Sequence, residues 1–203
     1  MKTKLSRKRA ISTVLTTVII LVASVVLGSG VVLYGTSLFQ GSTQTEAISV
    51  STPSVWVHTI AEEGLAWGAA KIRNTGDKVL AIDKIQIRGS DIPFSQWYPD
   101  TNVTSSLFQQ ALNHTGWSGV DGFLVNTGGS DCTLDIDVDG QAEDICANVA
   151  TGPVSLSPGQ SAIIYFQLSN GTLTSLDSGV NTGVNIYAGK AGAPQSITVQ
   201  GKS

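Results

Sequence analysis

From position 11 to position 45 the chain carries no Lys, Arg, Asp, Glu or His, and residues 14–33 (VLTTVIILVASVVLGSGVVL) add only Ser, Thr and Gly to apolar side chains. At ~1.5 Å per residue this run covers the ~30 Å hydrocarbon core of a bilayer. Val and Ile are indifferent helix formers in water, but in lipid an unpaired backbone group is costly enough to impose the helix. Beyond Glu46 the pattern changes. Alternating or compact β-prone runs occur at 48–58, 66–73, 79–88, 133–138, 161–168, 184–188 and 196–200. Turn signals separate them, among them Asn74-Thr75-Gly76-Asp77, Ser157-Pro158-Gly159 and Asn170-Gly171. Residues 105–112 read as one short helix. The predicted fold class is α+β, a long N-terminal hydrophobic helix followed by an all-β, immunoglobulin-like sandwich head.

Charge orients this arrangement. Lys2, Lys4, Arg7, Lys8 and Arg9 precede the apolar run, no acid accompanies them, and no basic residue follows closely. The amino end is therefore expected in the cytoplasm and the head outside. A cleaved secretory signal would have an apolar stretch of only ~7–15 residues and an Ala-x-Ala-like site, and neither fits. Two readings remain: an uncleaved anchor, and a signal clipped before its helix.

The boundary Arg7-Lys8-Arg9-Ala10 / Ile11-Ser12-Thr13-Val14, with Thr17 and Val18-Ile19-Ile20-Leu21-Val22 behind it, resembles the class III signal of archaeal type IV pilin precursors. The resemblance implies that a membrane-embedded prepilin peptidase cuts between Ala10 and Ile11, recognising Lys8, Arg9, Ala10 and Ile11. It divides the chain into a leader (1–10), a transmembrane or filament-core helix (11–39), a linker (40–46) and an extracellular domain (47–203). Two departures matter. Bacterial type IV pilins carry Glu at the fifth mature position, where this chain has Leu15. Archaellins begin Gly-Ile-Glu-like, where this chain has Ile11-Ser12-Thr13. Both point to an adhesion-type pilin rather than a motility filament.

Without its leader, the helix from 11 to 39 would be ~43 Å long and uncharged apart from its new amino terminus. It can leave lipid only for another apolar environment, and copies of itself supply one. Ala23, Ser24, Gly28 and Gly35 are small enough for close helix packing, with Ser24 and Gly28 at small-xxx-small spacing. Gly28-Ser29-Gly30 is the expected place for a bend.

Losing the leader removes five of 12 basic residues and leaves seven against 15 acids. That acidic balance argues against nucleic-acid binding and suits solubility outside the cell. Cys132 and Cys146, the only cysteines, are expected to pair. They stand equidistant from residue 139 in a hairpin with Leu134, Ile136 and Val138 on one face and Asp139-Gly140 at the turn. Asp135, Asp137 and Asp139, with Glu143, match the first part of an EF-hand-type calcium loop. Position twelve, however, is Cys146 rather than Glu, and alternation alone would put Asp at every second place. Calcium is the single cofactor candidate.

Asn102, Asn113 and Asn170 head three N-glycosylation sequons in expected loops. Trp56, Trp67, Trp97 and Trp117, with Tyr98 and Phe94, read as core and inter-subunit packing rather than a sugar-binding face. No catalytic or metal-ligand spacing surrounds His58 or His114, so the expectation is not an enzyme. The expected role is a pilin. It is held in the membrane as a precursor and handed to a pilus assembly machinery. It then polymerises with copies of itself into a cell-surface filament. The alternatives are an archaellin and a monomeric membrane-anchored binding domain.

Overall fold

A computed structural model describes residues 5–42, 45–60, 64–118, 122–128, 132–138 and 144–203; within the first stretch, the side chains described are those of 12–39. The chain divides into two compact units, Met1–Gln44 and Thr45–Ser203.

The first unit is the helix α1 (Leu5–Ser42). It is longer than expected at both ends. Leu, Lys, Arg and Ala are good helix formers, so residues 5–10 of the basic leader continue the helix instead of preceding it. Three residues of the expected linker, 40–42, are helical as well.

The second unit is built mostly of strands. In chain order they are β1 (Ile48–His58), β2 (Ala66–Asn74), β3 (Leu80–Ile87), β4 (Ser90–Asp91) and β5 (Trp97–Asp100). After the helix α2 (Ser105–Gln109) come β6 (Trp117–Ser118), β7 (Phe123–Leu124), β8 (Leu134–Ile136) and β9 (Ile145–Ala147). The chain closes with β10 (Val154–Leu156), β11 (Ser161–Leu168), β12 (Asn181–Ala188), β13 (Ala191–Thr198) and β14 (Gln200–Lys202). One sheet runs β14-β1-β2-β11-β5, and the other runs β10-β3-β12-β13 with β4 also on β3. All of these pairings are antiparallel except that of β14 with β1.

Successive strand residues face opposite sides of a sheet, and here both sides of the first sheet are buried. Val55, Ala70, Ile72, Ile164 and Phe166 join Ile82, Ile85, Val184 and Ile186 of the second sheet in one core. Trp56, Trp67, Ala69, Ile163 and Tyr165 form another core with Leu107, Leu124, Leu134, Ile136 and Ile145. The sandwich therefore has a third layer, in which α2 and the short strands β6–β9 cover the outer face of the first sheet. This explains why β2 and β11 are nearly continuous apolar runs: neither strand has a face left for water.

Turn chemistry sets the ends of strands. Arg88 (φ 54°) and Gly89 (φ 83°) form the two-residue loop joining Ile87 to its partner Ser90, so β3 ends one residue before Arg88. In β1 the register shifts between Ser51 and Ser54, where Thr52 has φ 41° and Pro53 has no N–H to offer the ladder.

Candidate functional site

The apolar helix is the strongest candidate for function. Ser12–Phe39 contains an 18-residue stretch with a mean hydropathy of 2.4 and is long and apolar enough to cross a membrane or act as a signal anchor. Its large apolar side chains lie on every side, exposed from 53% at Val18 to 74% at Phe39. A helix that is apolar all round needs an apolar surrounding on all sides. Sixteen such side chains at about 2 kcal/mol each put the drive to leave water on the order of 30 kcal/mol.

The hydroxyls do not spoil this surface. Thr16 donates to the Ser12 carbonyl (2.8 Å), Thr17 to Val14 (2.8 Å), Ser24 to Leu21 (2.9 Å), Ser29 to Val26 (3.0 Å) and Thr36 to Leu33 (3.0 Å). Each is satisfied within the helix. At about 100° per residue, Ser24, Gly28 and Gly35 share one face to within about 40°, and Ala23 points about 100° away from Ser24. Three of the four expected packing residues are thus brought together. A Cβ placed at Gly28 or Gly35 would meet nothing within 4 Å, so both positions lie open. Helical backbone is unbroken through Gly28-Ser29-Gly30, so the expected bend is not a break in the helix. Lys8, Arg9, Ala10 and Ile11 lie on helical backbone, and their side chains fall outside the described residues.

No family model matches the chain, and no curated protein shows significant similarity to it. Its chemistry therefore has to be read from its own geometry.

In the head, Cys132 and Cys146 form a disulfide with a Cα–Cα distance of 5.4 Å. Its placement differs from a symmetric hairpin. Asp135 is the residue opposite Cys146, and Ile136 pairs with Ile145. The bond therefore runs diagonally, from two residues before β8 back to β9. Leu134, Ile136 and Val138 do share the buried face. The expected turn at Asp139-Gly140 lies outside the described residues.

Of the calcium candidates, Asp139 and Glu143 also lie outside the described residues. Asp135 is buried, not on a solvent face, and its carbonyl accepts from Thr127 N–H (2.9 Å) and Gly128 N–H (3.3 Å). Asp137 N–H donates to Thr127 Oγ1 (2.9 Å). Among the described residues no three His, Cys, Asp or Glu side chains are grouped to hold a metal. Asp100, which was not singled out in sequence, is buried beside the disulfide. It accepts from Asn102 N–H (2.8 Å) and Cys146 N–H (3.4 Å), and burial nonetheless pushes its pKa up.

The three sequon asparagines, Asn102, Asn113 and Asn170, are all exposed in loops. Thr104, third in the first sequon, accepts from Leu107 N–H to cap α2, and Thr115 of the second donates to the Val125 carbonyl (2.6 Å).

The tryptophans are structural. Trp56, Trp67 and Trp97 are buried to 2% exposure or less. Trp67 Nε1 donates to the Gly122 carbonyl (2.8 Å) and Trp97 Nε1 to Ile92 (3.0 Å). Around half-buried Trp117 the fold gathers two histidines that sequence spacing leaves 56 residues apart. The His58 and His114 rings lie 4.9 and 4.4 Å from the indole. Nothing in a single sequence announces this meeting of β1 with the loop before β6.

Proposed function

We propose that this protein is a structural subunit of an archaeal type IV pilus-like cell-surface filament, with adhesion carried by its repeated heads. The observation behind this reading is the placement of a charge-free, all-round apolar helix directly after Arg7-Lys8-Arg9-Ala10. Its surface demands an apolar environment, lipid before assembly and neighbouring helices after it. The Ser24, Gly28 and Gly35 face supports close approach between copies. Processing by a prepilin peptidase removes the one charged segment that would obstruct that transfer. The acidic, disulfide-bearing β head then forms the outer layer.

Replacing Ala10 by a bulky residue tests the reading. Ala10→Trp is expected to leave full-length precursor in the membrane and no filaments by electron microscopy. Filaments at normal abundance from that variant would remove the proposed processing step. A monomeric anchored domain predicts no effect of the substitution on surface display.

A further inference from the structure

Arg73 stands out in β2. It is an exposed cation two residues after buried Lys71, on the same face of a strand that is otherwise buried. Lys71 donates to the Gln110 carbonyl at the end of α2 and sits 5.9 Å from the Phe108 ring centroid. Arg73 forms no ion pair with a carboxylate among the described residues. It instead borders a pocket of about 330 Å³ between the β2 and β11 ends and α2.

The rest of the lining has a consistent chemistry. Asn102, Ser105, Gln109 and Ser161 supply neutral donors and acceptors, Phe108 supplies an apolar wall, and no carboxylate contributes. Asp100, the nearest acid in sequence, is turned to the Asn102 and Cys146 amides. The frame around the pocket is fixed. Leu107 anchors α2 in the outer core, Thr104 caps it, and Gln160 is held by Ser157 N–H (2.9 Å) and by the Thr101 carbonyl (3.2 Å).

A cation is disfavoured by Arg73 and by the absence of carboxylate. A purely apolar ligand would strand the amides and hydroxyls. A polyphosphate would need more positive charge than one guanidinium and a buried, already engaged ammonium. One forked cation for a carboxylate, several neutral hydrogen-bonding groups for hydroxyls and one aromatic wall match a sugar acid.

We infer that this pocket binds the carboxylate-bearing sugar of an acidic glycan, with Arg73 pairing the carboxylate and Asn102, Ser105, Gln109 and Ser161 reading the hydroxyls. The site lies wholly in the head and needs neither processing nor polymerisation, so it stands or falls separately from the filament reading.

The test is titration calorimetry on the full chain, produced without glycosylation and held in a sugar-free detergent, with glucuronate, glucose and acetate as probes. Glucuronate is expected to bind saturably, with glucose and acetate each roughly tenfold weaker or worse. Arg73→Gln should weaken glucuronate roughly tenfold or more at an unchanged melting temperature. Gln109→Trp, at an exposed position, should fill the pocket and abolish binding. The inference is overturned by absence of saturable glucuronate binding, by acetate binding as well as glucuronate, or by glucuronate binding that both variants leave intact.

Discussion

At His114 the ring is 7% exposed and packs between Trp56 (5.5 Å) and Trp117 (4.4 Å). Nδ1 accepts from Gly116 N–H (3.2 Å), while Nε2 has no hydrogen-bond partner among the described residues. Burial, then the positive charge of Lys202 and the neighbouring His58, lowers its pKa from 6.5 to about 4. The folded protein thus holds His114 neutral where the unfolded chain would take a proton. Stability from this group is full above pH 6.5, falls as pH drops toward 4, and levels off below that. The expected loss is about 3 kcal/mol. Asp100, whose pKa is raised, works in the opposite sense, so the comparison must be with His114→Phe. Denaturation followed by tryptophan fluorescence should show a smaller loss between pH 7 and pH 4.5 in that variant. Equal losses would remove His114 as the cause. Asn74 shows the contrasting case of a buried polar side chain fully used. Its Nδ2 donates to the Lys78 (2.7 Å) and Leu156 (2.9 Å) carbonyls, and its Oδ1 accepts from Gly76 N–H (2.9 Å).

Among the elements, β2 and β11 carry the head, because their two faces belong to two different cores. Gly68 is the close point between them. It pairs with Phe166, and a Cβ at residue 68 would overlap the Phe166 ring. Gly68→Ala is expected to displace that ring and cost about 2–3 kcal/mol in chemical denaturation. A change under about 0.5 kcal/mol would show that the ring moves freely. The long elements were legible because each is long and uniformly patterned: α1 by absence of charge, β1 and β11 by runs that match their observed bounds. The third layer was legible only in part, through α2 and the hairpin of β8 and β9 with Leu134, Ile136 and Val138 on one face. The two-residue strands β6 and β7 carry no pattern of their own, and the packing of the β6-β7 and β8-β9 pairs onto the first sheet is a contact that no local pattern encodes. α2 stops at Gln109 rather than 112 because Gln110 is already extended, with its carbonyl held by Lys71. The pocket did have a sequence signal. Lys71 and Arg73, two residues apart in an apolar strand, must share a face, but only the fold shows that α2 closes over it.

At the scale of the whole chain, two units with opposite demands are joined near residue 44. Residues 12–39 of the first have no face suited to water. The second has its own cores, a disulfide closing a 14-residue separation worth about 3 kcal/mol in an oxidising environment, and buried indoles. That contrast is what a subunit needs if its helix passes from bilayer to filament while its head stays in water. In the proposed role, removal of residues 1–10 would be the step that makes such a passage possible, because Lys2, Lys4, Arg7, Lys8 and Arg9 would otherwise have to enter the apolar bundle. The most direct test is mass spectrometry of the amino terminus on material sheared from the cell surface. The account predicts a mature chain beginning at Ile11, and an abundant surface form that retains Met1–Ala10 would contradict it.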